Sequence, residues 1–117
     1  MTGYVLYHNP RCSKSRGALE LLQENGIEPE IVRYLDAPLD ADALRGLVRK
    51  LGIRPRDLLR TKEEEYRNLN LADETLDDDA IIDAMVAHPR LIERPILVRG
   101  ERAVIGRPPD RVLELLD

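Results

Sequence analysis

The 117-residue chain contains no Phe, no Trp and a single Cys. Without the large aromatics, the core must be built from Leu, Ile, Val and Ala. The stacking platforms of single-stranded nucleic-acid binders are missing as well. One cysteine excludes an internal disulfide, and with it a cross-linked secreted scaffold. No apolar run approaches a membrane span. The opening Met1-Thr2-Gly3-Tyr4-Val5-Leu6-Tyr7 is too short for a signal segment and lacks a basic leader, so the cytoplasm is the expected location. With 22 acidic against 18 basic residues the net charge is −4, which gives no general attraction to nucleic acid or anionic lipid. Lysine is scarce, three against fifteen arginines, so a single arginine gains weight only from its context. What remains, 43% hydrophobic and 34% charged, is ordinary for one globular domain over 1–117.

Periodicity supplies the elements. Residues 3–8 read as a buried strand ended by Pro10. Ala18, Leu19, Leu21 and Leu22 recur at helical spacing over 13–25, with Asn25-Gly26 as the stop. A second strand over 30–35 completes a βαβ unit, whose strands should be parallel. Asp40 caps a helix running to Gly52, and Arg54-Pro55 opens a short turn to Arg60. Residues 61–75 read as loop plus a short helix, with Lys62-Glu63-Glu64-Glu65 as a solvated face. Asp77 starts a helix that buries Ile81, Ile82, Ala84, Met85 and Val86 and ends at His88-Pro89. Residues 95–98 and 103–105 form a hairpin around Arg99-Gly100-Glu101-Arg102, and Asp110 caps a closing helix with Val112, Leu113 and Leu116. A parallel pair, then a hairpin and a closing helix, predicts the α/β class: a thioredoxin/glutaredoxin-like fold with a helical insertion.

Cys12 stands at the junction of the first strand and helix, within His8-Asn9-Pro10-Arg11-Cys12-Ser13-Lys14-Ser15-Arg16. A thiolate gains from a helix N-terminus and from cations, and the free amides there also bind oxyanions. Cys12 therefore reads as a nucleophile beside an anion seat, or else as a small buried hydrophobe. Ser15 at the fourth position rules out Cys-x-x-Cys, and Ala18 rules out a phosphatase-type Cys-x5-Arg loop. Cys12, His8 and His88 have no metal-ligand spacing, so no metal is expected. His8 either favours the thiolate or caps the strand, whereas His88 suits the C-terminal end of a helix dipole. In thioredoxin-like folds a cis-proline at the position of Pro95 lies against the redox cysteine and would bring Arg94 there. Arg107 leaves the hairpin before the rigid Pro108-Pro109, and Arg60 has weaker local support.

The run Tyr7–Arg16 resembles the active-site segment of the glutaredoxin-coupled arsenate reductase (ArsC) family, in the branch reading His-Asn-Pro-Arg-Cys-Ser-Lys-Ser-Arg. Leu58-Leu59-Arg60, Asn70-Leu71-Ala72, Pro89–Ile96 and Ile105-Gly106-Arg107-Pro108 resemble it too, in order along nearly the whole chain. The resemblance implies that Cys12 attacks arsenate to give a thiol-bound ester. It implies an oxyanion clamp of Arg60, Arg94 and Arg107, and support of the thiolate by His8 and Ser15. No bound cofactor is implied; glutathione is a co-substrate and glutaredoxin a partner. A monomer that binds neither nucleic acid nor membrane is expected. Two other readings are a Spx-like regulator of the same fold, which Ser15 in place of a second cysteine opposes, and a glutathione-dependent thiol enzyme with another substrate.

Overall fold

The run Tyr4–Tyr7 forms strand β1, with Tyr4 and Leu6 buried and Val5 and Tyr7 half-buried. This computed structural model describes residues 3–116. Helix α1 spans Ser13–Glu24 and buries Ser15, Ala18 and Leu22 on one side. It stops at Asn25 and Gly26, whose φ of 78° is the left-handed geometry that only glycine adopts without cost. Strand β2 (Glu30–Val32) pairs parallel with β1, as the βαβ pattern predicts. It ends three residues earlier than its composition suggests. The chain turns at Arg33, where the Asp36 and Ala37 amides donate to the Arg33 carbonyl and Asp36 pairs with the Arg33 guanidinium at 3.1 Å.

Strands β3 (Ile96–Arg99) and β4 (Arg102–Ile105) form the expected hairpin, and β3 pairs antiparallel with β1. The sheet order is β2-β1-β3-β4. Tyr4, Leu6, Leu97 and Val104 meet Ala18 and Leu22 of α1 and Val112 and Leu115 of the closing segment in one core. Each Leu or Val side chain among them contributes roughly 1.5–3 kcal/mol on burial. The closing helix differs from expectation. Pro109–Leu115 is a 3-10 helix, and Asp110 does not cap it; Pro108 holds that position. Pro109, with its fixed φ and no N–H to satisfy, takes the first helical position, so Asp110 falls inside the first turn rather than before it. At three residues per turn the inner face is Val112 and Leu115, leaving Leu113 exposed.

Residues 38–93 form a second compact unit, separate from the unit that holds the sheet. Asp40 caps α2 (Ala41–Leu51) by accepting the Ala43 N–H at 2.8 Å, and Gly52 closes it in the left-handed region. Asp77 caps α4 (Asp78–Ala87) in the same way through Ala80. Each cap is worth about 1 kcal/mol. Helix α4 packs on α2 and on two short 3-10 turns, Pro55–Leu58 and Pro89–Leu91. Ile81, Ile82 and Met85 are its fully buried residues, and Ala84 and Val86 are only half-covered. Helix α3 (Glu64–Asn68) buries nothing completely. No helix among the described residues is long and apolar enough to cross a membrane.

Candidate active site

Asn9 organises the loop that presents Cys12. It is buried; its N–H donates to Ser15 Oγ at 3.1 Å, and its carbonyl accepts the Cys12 N–H at 3.0 Å. Its side-chain Oδ1 accepts the Arg11 N–H at 3.0 Å, and Arg16 Nη1 closes the outside by donating to the Pro10 carbonyl, also at 3.0 Å. Cys12 thereby becomes the extended N-cap residue of α1, with its carbonyl accepting the Arg16 N–H. Asn9 has no role of its own in the sequence pattern, and Arg16 enters it only as the nearest basic residue in helical register with Cys12. An Asn-Pro pair before a helix is the signal that could have marked Asn9, because Asn side chains stand in for backbone acceptors in turns.

The half-buried Cys12 sulfur makes no conventional capping hydrogen bond, but the Ser15 and Lys14 amides face it closely enough to favour its anion. Five influences settle its acidity. Burial, the largest single one, raises the thiol pKa. Against it stand the Ser15 N–H, a hydrogen bond from the Arg94 side chain, and the Lys14 N–H with the Arg94 charge, and together they leave the pKa below its ordinary value. A thiolate at a helix start beside a guanidinium is the reactive form.

Ser15 is fully buried and acts twice: its backbone favours the anion and its hydroxyl fastens Asn9. His8 stands differently from its expected place. Burial first, then the charges of Arg33 and Arg16, hold its pKa below the ordinary imidazole value, so near neutrality it is uncharged. It is 6% exposed, its Nδ1 has no hydrogen-bond partner among the described residues, and the groups that shift Cys12 do not include it.

Arg94 reaches the sulfur from the start of β3, across the cis Arg94-Pro95 peptide. Arg107 Nη1 donates to the Arg94 carbonyl at 3.3 Å, and the Gly106 N–H donates to the Pro95 carbonyl at 2.8 Å. Gly106 has no room for a side chain: a Cβ there would lie 2.9 Å from Pro95 Cγ and 3.1 Å from Val112 Cγ1. A second cis peptide, Arg107-Pro108, follows at once.

A model of the ArsC family matches residues 7–115. The chain belongs to the ArsC family. It is 56% identical to the uncharacterized protein YfgD of Escherichia coli (strain K12), with 95% of this chain and 94% of that one covered. It is 46% identical to an arsenate reductase of Haemophilus influenzae, covering 96% and 97%. A solved structure of an arsenate reductase from Vibrio cholerae superposes with a TM-score of 0.96 at 49% identity, over 99% of this chain and 98% of that one. The thioredoxin-like α/β fold read from the strand order is the fold of these ArsC structures.

Arg60, the remaining arginine of the expected clamp, lies in the second unit. The Leu59–Ile92 bridge and the Arg60 N–H on the Leu91 carbonyl fix its backbone. Its guanidinium meets Glu93 Oε1 at 2.7 Å and Glu63 Oε2 at 3.3 Å. Glu63 also takes Arg90, and its side chain is only 15% exposed, so Glu63 and the half-buried Glu65 leave the solvated face on which Lys62 and Glu64 remain.

Proposed function

We propose that this protein reduces arsenate to arsenite by thiol chemistry, with Cys12 as the nucleophile. The hydrogen bond from Arg94 to a Cys12 sulfur that is also faced by the Ser15 and Lys14 amides carries the reading. A sulfur with anionic character beside a guanidinium supports pairing a nucleophile with a cation for an oxyanion. The arsenate reductase names of relatives at 42–46% identity support the choice of oxyanion.

The Cys12 thiolate displaces one oxygen of arsenate as water, forming a bond from sulfur to arsenic(V). Arg94, with Arg107 anchored on its carbonyl, neutralises the remaining oxygens; planar guanidinium forks suit a tetrahedral oxyanion. The part of Arg60 in that binding rests on the family resemblance. The chain has no second cysteine. Glutathione therefore supplies the next sulfur. Its attack and the departure of arsenic(III) leave a mixed disulfide, the two sulfurs having given up the electron pair that arsenic gains. Glutaredoxin then returns Cys12 to the thiol by exchange. Ser15 and a neutral His8 keep the loop in shape, no cofactor is bound, and the protein works as a cytoplasmic monomer.

The test is a coupled assay with glutathione, glutaredoxin and glutathione reductase. NADPH consumption that begins only on adding arsenate, and fails with Cys12→Ser, is expected. Consumption independent of arsenate would overturn the assignment.

A further inference from the structure

Beside the cysteine loop, on the side of β1 away from β3, lies a cavity of about 220 Å³ lined by His8, Asn9, Arg11, Arg33, Leu35 and Asp36. Its charges are unusual in their balance. Arg11 makes no ion pair among the described residues. Arg33 spends only Nε on Asp36, leaving its terminal nitrogens to another acceptor. Both side chains of that pair are more than half exposed and so accessible from solvent. His8, nine-tenths buried, adds an Nδ1 without a partner to the same lining. Buried polar atoms are almost always satisfied, so one on a cavity wall calls for a partner from outside.

We infer that this cavity is the subsite for the reducing thiol, and that it recognises a small peptide thiol bearing two carboxylates and one ammonium group, the charge pattern of glutathione. The inference rests on the external-thiol step of the function proposed above. Arg11 and Arg33 match the two carboxylates, and Asp36 matches the ammonium. Uncharged thiols gain nothing from such a set. The geometry agrees. Arg33 and Asp36 follow β2, whereas Arg94 precedes β3, and β1 lies between those strands. At about 4.8 Å per strand the cavity stands roughly 10 Å from the Arg94 side of the loop. Three extended residues span about 10 Å, so a peptide thiol anchored in the cavity can lay its sulfur over Cys12. The volume is below the roughly 300–1,000 Å³ of sites that enclose a whole ligand. Part of the peptide therefore stays outside, as a sulfur that must reach the reacting centre requires.

The probe is S-methylglutathione, which keeps every charge and cannot react, titrated into the whole protein by calorimetry. Arg11→Ala, Arg33→Ala and Asp36→Asn should each weaken its binding about three- to fivefold, the range of exposed charge pairs. In the coupled assay the same variants should raise KM for glutathione and leave KM for arsenate, and turnover with 2-mercaptoethanol, at wild-type values. Unchanged binding in all three variants overturns the subsite, as does an equal rise in the arsenate KM. Binding that weakens as stated in a protein that reduces no arsenate with any thiol upholds the subsite and sinks the reaction. Unchanged binding with intact reduction does the reverse.

Discussion

Arg94 and Arg60 carry the same charge, yet the company they keep differs. Arg94 hydrogen-bonds a thiol sulfur and helps to ionise it. Arg60 faces two carboxylates, Glu63 and Glu93, with Arg90 completing a chain of ion pairs in the second unit. One arginine lends its charge to a thiol; the other has its charge offset by neighbours. In a chain with fifteen arginines, partners rather than residue type distinguish a reactive site from a structural one.

The sharpest test of that contrast is the nucleophile itself. Cys12→Ser should lower arsenate reduction to background, because a hydroxyl is too weak a nucleophile at neutral pH. Residual turnover by the purified variant would place the chemistry elsewhere. Arg94→Ala comes next, with a loss of ~10²–10³ in rate, the cost of removing one preorganised donor. It should also raise the thiol pKa, read from the pH dependence of iodoacetamide alkylation. Arg94→Lys should restore part of the thiol acidity but little of the rate, since an ammonium lacks the fork.

Arg60→Ala decides whether the comparison holds as drawn. Loss of its part-buried pairs should lower the melting temperature, at roughly 1 kcal/mol. If Arg60 also binds substrate, KM for arsenate rises tenfold or more, whereas Glu63→Gln lowers stability without that rise. A fall in melting temperature with an unchanged KM would leave Arg60 purely structural. Asn9→Ala removes the acceptor for the Arg11 N–H at a cost of about 1 kcal/mol. The thiol pKa should move back toward its ordinary value as the loop loosens.

The smallest effect is on pH dependence. The folded-state pKa of His8 is depressed, so the unfolded chain binds a proton there first. His8 should therefore contribute full stability above about pH 6.5 and lose it as the pH falls toward the folded value. His8→Asn should flatten the fall in melting temperature between pH 7 and pH 5. An identical slope in the variant would show that other groups control it.

Much of this arrangement was legible in the residues. Tyr4 and Leu6, the caps Asp40 and Asp77, and the stops at Gly26 and Gly52 follow from local rules, and they lie where those rules put them. The early end of β2 was not legible, because Tyr34 and Leu35 have strand-like composition and only the turn at Arg33 decides. Nor was the 3-10 form of the closing helix, which depends on how two prolines weigh against one well-placed acid. At the site, Cys12 announced itself by its position, and Arg94 by the proline after it. Glu63 and Asn9 did not: the partners of one lie at Arg60 and Arg90, and those of the other are groups of Arg11, Cys12 and Ser15 that only the folded loop brings to it.

Gly106 carries a consequence for any attempt to re-engineer the pocket. Its missing side chain lets Pro95, Val112 and Ala18 close around one backbone atom, and its N–H is bolted to Pro95 while Arg107 grips the carbonyl of Arg94. The two arginines are therefore not independent adjustable parts. A larger oxyanion cannot be admitted by easing one of them outward, since the strand start that carries the first also anchors the second. Enlargement has to come from shortening a side chain, or from the opposite wall of the loop.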